Sequence, residues 1–173
     1  MAIDFIQAPS NLVERVDGLK ADQRMFILSP SRWRAFSQNC TLKWQSVAFG
    51  TGGIPCAIPD EPGVYCFSIE NSNPLLPHDS YIVYVGIVGY KPNSPRTLRH
   101  RYVEYQKEAA NVQRVKLCYI LNKWQGHISF QFVSNPTISL EDLEKDLLEA
   151  LVPLANQNDF NATLRQAVRA LDS

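Results

Sequence analysis

Two runs of β-branched and aromatic residues, Val64-Tyr-Cys-Phe-Ser-Ile69 and Tyr81-Ile-Val-Tyr-Val-Gly-Ile-Val88, constrain the fold more than any other feature of the chain. Such side chains suit a pleated surface and lose rotamer freedom in a helix. The eleven residues between them, Glu70-Asn-Ser-Asn-Pro-Leu-Leu-Pro-His-Asp-Ser80, are a loop by composition, so the two runs predict an antiparallel hairpin. Ile128-Ser-Phe-Gln-Phe-Val133 alternates and predicts a third strand. Val115–Leu121 is apolar and fits either strand or helix.

Helix signals surround these strands. Ser94-Pro95 offers a cap and a proline at the first helical position, predicting a helix to about Ala110. Ser139, with Asp142 three residues on, opens a second that runs through Val152 towards Pro153. A third follows Asn161, with Leu164, Val168 and Leu171 on one face. Upstream, short helices are expected near Ser10–Leu19 and from Ser29-Pro30-Ser31, before Gly50–Pro55 and Pro59–Pro62 punctuate the chain. The sum is a small α/β (α+β) domain, with a central three-stranded antiparallel sheet flanked by helices. Residues 1–58 form an N-terminal extension, 59–160 the main domain and 161–173 a C-terminal helix.

A chain of 173 residues, 45% of them hydrophobic, suits one domain with a true core. Its 17 basic and 17 acidic side chains cancel, which weighs against a protein that coats nucleic acid non-specifically but leaves room for a local basic face. No apolar run approaches the roughly eighteen residues of a membrane helix. The start, Met1-Ala-Ile-Asp4, lacks the basic and apolar stretches of a signal peptide. Cys40, Cys56, Cys66 and Cys118 form no C-x-x-C pair, so reduced thiols and a cytoplasmic location are expected.

One residue breaks the helical pattern. Advancing about 100° per residue from Leu140, the residues Leu143, Leu147, Leu148, Ala150 and Leu151 share an apolar arc, and Glu144 falls inside it at about +40°. Asp142, Asp146 and Glu149 all fall on the opposite face. A carboxylate aimed at a core is costly unless a cation or hydrogen bonds receive it. Two receivers fit: a core-edge arginine, or a hard divalent metal ion.

Pro62-Gly63-Val64-Tyr65 followed by Tyr84-Val85-Gly86 resembles the two-part signature of the GIY-YIG endonuclease family. Leu98 and Arg101 then match a family helix carrying leucine and, three residues on, arginine. Glu144, Pro153 and Asn156 stand at the intervals of the family's glutamate, proline and asparagine. The resemblance covers Gly63 to Asn158 and selects the same glutamate that the helical period isolates. It departs in a longer segment around Gly89–Ser94, and in Ile87 and Val88 where a small cation or hydroxyl is common. Lys91 is the nearest lysine to stand in there.

What the resemblance implies is a divalent-metal-dependent endonuclease acting on nucleic acid, with DNA the favoured substrate and restriction or defence a fitting role. Glu144 would hold one Mg2+ or Mn2+, while Tyr65 and Tyr84 line the site, Tyr65 engaging the attacking water. Arg101 would clamp the scissile phosphate, or stabilise a phenolate that an ordinary tyrosine, with a pKa near about 10, does not form unaided. Gly86 would permit close approach of backbone and ligand, Gly63 would support the site, and Asn156 would orient it. Between Gly86 and Lys123 the sequence carries eight lysines and arginines against two glutamates. Lys91, Arg96, Arg99, His100 and Lys107 are the candidate nucleic-acid contacts. A two-fold dimer would suit cleavage of both strands of a palindrome. The alternatives are a domain on the same fold that binds nucleic acid without cutting it, and a protein-interaction domain whose aromatic residues are core.

Overall fold

The structure, a computed structural model, describes residues 14, 16–20, 22–36, 41–50, 52–71, 73–91, 93–108, 114–156 and 158–171. The predicted stretch Ser10–Val13 lies outside the described residues, whereas residues 16–20 are helical. A short helix α1, Pro30–Ala35, begins at Ser29, whose hydroxyl accepts from the Arg32 N–H. Then come β1 (Gln45–Ala48), β2 (Gly63–Glu70), β3 (Ser80–Val88), α2 (Leu98–Glu108) and α3 (Val115–Lys123). The chain continues through β4 (Ile128–Ser134), α4 (Leu140–Leu151) and α5 (Ala162–Leu171).

The domain is mixed α/β, and its sheet is antiparallel with order β1-β4-β2-β3. It therefore has four strands, not the three expected. The extra strand, β1, comes from the stretch read as an extension, where Val47 pairs with Phe130 and Gln45 with Phe132. Gln45-Ser-Val-Ala48 is too short and polar to announce a strand; its partner β4 supplies the order. The ambiguous run at Val115 becomes helix α3, burying Leu117, Ile120 and Leu121 at helical spacing. Helix α2 starts later than Ser94-Pro95: the Thr97 hydroxyl caps it by accepting from the His100 N–H at 3.3 Å.

Helices cover both faces of the sheet. On one, Tyr65, Phe67 and Phe130 pack with Leu98, Tyr102 and Tyr105 of α2 and Leu117 and Ile120 of α3. On the other, Val64, Cys66 and Val85 meet Leu143, Leu147 and Leu148 of α4, with Leu164 and Val168 of α5. Ser139 caps α4 through the Asp142 N–H, and Asn161 Oδ1 accepts from Leu164 N–H at the start of α5. Among the described residues no helix is long and apolar enough to cross a membrane.

One irregularity decides what the sheet presents. The β2–β3 register shifts between Phe67 and Ser68: Phe67 pairs with Tyr84, Ser68 with Ile82, and Val83 is left between. This bulge breaks the alternation of β3. Simple alternation from Tyr81, which pairs with Ile69, would send Tyr84 to the α4 side; the bulge returns it to the Tyr65 side.

Candidate functional site

The free edge of β3 carries the site. In an edge strand alternate N–H and C=O groups point outward and need partners. Val83 C=O accepts from Ala155 N–H at 2.8 Å. Val85 is held by Asn156, whose Oδ1 accepts from its N–H and whose Nδ2 donates to its C=O, both at 2.8 Å. Asn156, 1% exposed, also donates to Asp159 Oδ2 at 2.8 Å. Two residues further along the edge, the Ile87 N–H donates to Glu144. The motif asparagine and glutamate thus grip the same strand edge, either side of Gly86.

Beside that edge opens a cleft of about 510 Å³. Of the residues expected from sequence, Tyr65, Tyr84, Gly86, Lys91, Arg96, Arg101 and Glu144 line it. Glu144 reaches it from α4, Arg101 from α2, and the tyrosines from the sheet. Gly63 and Asn156 stand behind the wall. A side chain at Gly63 would collide with the Val133 carbonyl and come within 2.9 Å of Leu98, so Gly63 admits α2 to the sheet and not a ligand to the backbone. Gly86 has a comparable part: a Cβ there would lie 2.5 Å from Tyr65 Oη and 2.7 Å from its Cζ. The close approach that Gly86 permits is that of the Tyr65 phenol.

The basic helix face divides. Arg96 and Lys91 reach the cleft, Arg96 Nε lying 3.4 Å from Glu104. Arg99 instead donates to the Ile58 carbonyl at 2.9 Å, and His100 Nδ1 meets the Thr97 hydroxyl at 2.8 Å with Asp60 at 3.8 Å. Lys107, on the last turn of α2, is not among the residues lining the cleft. A helical period fixes which way these residues leave the helix but not what other segment meets them there.

Two residues that sequence reasoning did not single out complete the constellation. Tyr105 lies on the same stripe of α2 as Leu98, Arg101 and Tyr102, so a full reading of that stripe contains it. Arg114, just before α3, has no such signal. Arg101 donates from Nε to Tyr65 Oη at 3.2 Å, from Nη2 to Tyr105 Oη at 3.0 Å, and from Nη1 to Glu104. Arg114 Nη1 donates to Tyr84 Oη at 2.7 Å and to Tyr105 Oη at 2.8 Å. Tyr65 and Tyr105 hydroxyls are 2.8 Å apart.

The hydrogen count fixes direction in this network. A phenol has one hydrogen to donate and lone pairs to accept with. Tyr105 accepts from both guanidiniums, so its own hydrogen goes to Tyr65. Tyr65 then accepts from Tyr105 and from Arg101 Nε, and must donate away from both. Tyr84 accepts from Arg114 and likewise keeps its hydrogen for another partner. Burial pushes the Tyr65 and Tyr105 phenols well above their ordinary range; neighbouring phenols add to this and the guanidiniums only partly offset it. Tyr65 is therefore a neutral hydrogen-bond donor at the cleft, and the phenolate expected from the proximity of Arg101 is outweighed by desolvation.

Glu144 is shifted in the same direction. Burial and then the Asp159 charge raise its carboxyl to about 7, against which the Ile87 N–H and Arg101 pull down. Among the described residues it makes no ion pair with an arginine, because Arg101 is taken by Glu104. No group of three His, Cys, Asp or Glu side chains suited to a metal occurs among the described residues. A half-buried carboxylate facing a polar cleft, beside a second carboxylate and without a cationic partner, nevertheless fits a hard divalent ion that takes its other ligands from water and phosphate. The cleft thus offers cationic and neutral donors on one wall and carboxylates on the other. No family model, curated protein or solved structure matches the chain.

Proposed function

We propose that this chain is an endonuclease of the GIY-YIG type, hydrolysing phosphodiester bonds in nucleic acid with one divalent metal, DNA being the favoured substrate. The observation that carries this reading is the meeting of Tyr65, Tyr84, Arg101 and Glu144 in one cleft, brought there from four different elements. The β3 bulge turns Tyr84 to the Tyr65 side, and Asn156 holds the strand edge next to it.

Phosphodiester hydrolysis asks a site to neutralise an anion, position a water and stabilise a departing alkoxide. Arg101 has donor hydrogens left after its bonds to Tyr65, Tyr105 and Glu104, and its planar fork suits a phosphate oxygen pair. Tyr65 and Tyr84, each with a hydrogen directed outside the network, orient a phosphate oxygen or the attacking water. Glu144 would hold the Mg2+ or Mn2+, next to Asp159. Bound there, such an ion supplies charge neutralisation and an activated water. A carboxyl near 7 also loses its proton readily at neutral pH once a cation arrives.

A panel of plasmid, single-stranded DNA and structured RNA, incubated with Mg2+, Mn2+ or excess chelator beside Glu144→Ala, tests the reading. Metal-dependent cleavage that the variant lacks is the expected outcome. Folded wild-type protein that cuts none of them would move the assignment to a binding domain, and cleavage that persists in chelator and in the variant would exclude the metal mechanism.

A further inference from the structure

Arg114 stands out once the charges around the cleft are paired off. The Arg101 guanidinium is compensated by Glu104, which also receives Arg96. Arg114 has no carboxylate within ion-pair distance among the described residues; its hydrogen bonds to them leave from Nη1 and end on neutral phenols, Tyr84 and Tyr105. Its carbon also sits 5.7 Å from the Tyr84 ring centre and 5.8 Å from that of Tyr105. Two aromatic walls and two hydroxyls therefore fix the guanidinium in place, and among the described residues Nε and Nη2 have no hydrogen-bond partner.

The position of Arg114 is shared between two cavities. It lines the main cleft, and it also lines a second hollow of about 450 Å³ on the far side of Tyr84, which Lys116 and Asn158 border. Tyr84 and Asp159 belong to both walls, so the hollow continues the cleft past the tyrosine. Asp159 is the one carboxylate there among the described residues, and its Oδ2 accepts from Asn156. Arg114 and Lys116 outweigh it by one charge.

We propose that this second hollow is an anion subsite for a neighbouring phosphate of the same strand, with Arg114 as its cation. The inference rests on the nucleic-acid reading above. A cation without a carboxylate partner among the described residues, held by two neutral acceptors beside an open cavity, is poised for an oxyanion, and a planar guanidinium suits phosphate. A strand crossing Tyr84 would place one phosphate at Arg101 and a flanking one at Arg114.

The test is binding without cleavage. A fluorescein-labelled DNA oligonucleotide, as single strand and as duplex, is titrated by anisotropy in excess chelator over a series of salt concentrations. Wild type is compared with Arg114→Gln, Arg114→Lys and Arg34→Gln, the last removing one charge from α1, outside both cavities. Losing one phosphate contact lowers the slope of log K against log salt by about 1 and weakens binding roughly tenfold at low salt. Arg114→Gln is expected to show both changes, Arg114→Lys to keep the slope, and Arg34→Gln to resemble wild type. Wild-type binding with an unchanged slope in Arg114→Gln, or an equal loss in Arg34→Gln, would overturn the subsite and leave the nuclease reading standing. Failure of wild type to bind either form would overturn the nucleic-acid reading, and the subsite with it.

Discussion

Replacing Asn156 by alanine removes three hydrogen bonds from a side chain that is 1% exposed. Two of them satisfy both backbone groups of Val85, the residue between Tyr84 and Gly86. Leaving a buried donor or acceptor unpaired costs about 1–3 kcal/mol each. The bond to Asp159 adds little, since that carboxylate is exposed. The expected loss is therefore about 3 kcal/mol, which lowers the melting temperature by about 9 °C in a domain of this size. Urea unfolding followed by circular dichroism reads it as a lower midpoint with unchanged slope. Asn156→Asp keeps the acceptor for the Val85 N–H but turns a carboxylate oxygen towards the Val85 carbonyl and Asp159. It should be at least as destabilising at neutral pH and recover in part as the pH falls. An alanine variant within about 1 kcal/mol of wild type would refute the claim that Asn156 pins the strand that carries Tyr84.

Gly86→Ala places a Cβ 2.5 Å from Tyr65 Oη, and overpacking of that kind costs about 2 kcal/mol; Tyr65→Phe in the same chain should recover part of it, and strict additivity in a double-mutant cycle would contradict the geometry. Glu144, held at about 7 against an ordinary 4.5, destabilises the fold when ionised. That cost is absent below the ordinary value, grows as pH rises between the two, and is complete above the raised one. Partial exposure reduces it from about 3 to about 2 kcal/mol, so in chelator Glu144→Gln should match wild type near about pH 4 and exceed it by about 2 kcal/mol near about pH 8.5. Equal denaturation midpoints at both pH values would exclude the desolvated carboxylate. Tyr105→Phe removes the donor that orients Tyr65 and an acceptor from each arginine. It should cost about 1 kcal/mol in stability and slow cleavage under single-turnover conditions, and an unchanged cleavage rate would remove Tyr105 from the site.

The sequence revealed residues whose placement follows from one element's own period. Glu144 is the clearest: a 3.6-residue repeat alone puts it among leucines, and it stands half-buried at the cleft, hydrogen-bonded by a strand edge. Ser29, Ser139 and Asn161 cap the helices that local capping chemistry assigns to them. What stayed hidden depends on pairing between distant segments. Tyr84 faces Tyr65 only because of a bulge at Val83, and alternation read along β3 alone sends it the other way. The strand Gln45–Ala48 has no apolar signature and exists through its partner. Arg114 belongs to no periodic face, and its part in the site is legible only from the two phenols that it meets. Arg99 and His100 also meet Ile58 and Asp60, through a loop whose path the helix does not encode.

The most direct test of the central claim is the single-turnover cleavage rate on whichever substrate the panel identifies, with saturating Mg2+ or Mn2+, for wild type, Glu144→Gln and Arg101→Gln. Removing the metal-holding carboxylate or the phosphate clamp should each lower the rate by about 100-fold or more while the proteins stay folded. A folded Glu144→Gln enzyme that cleaves at the wild-type rate in the same metal would contradict the account.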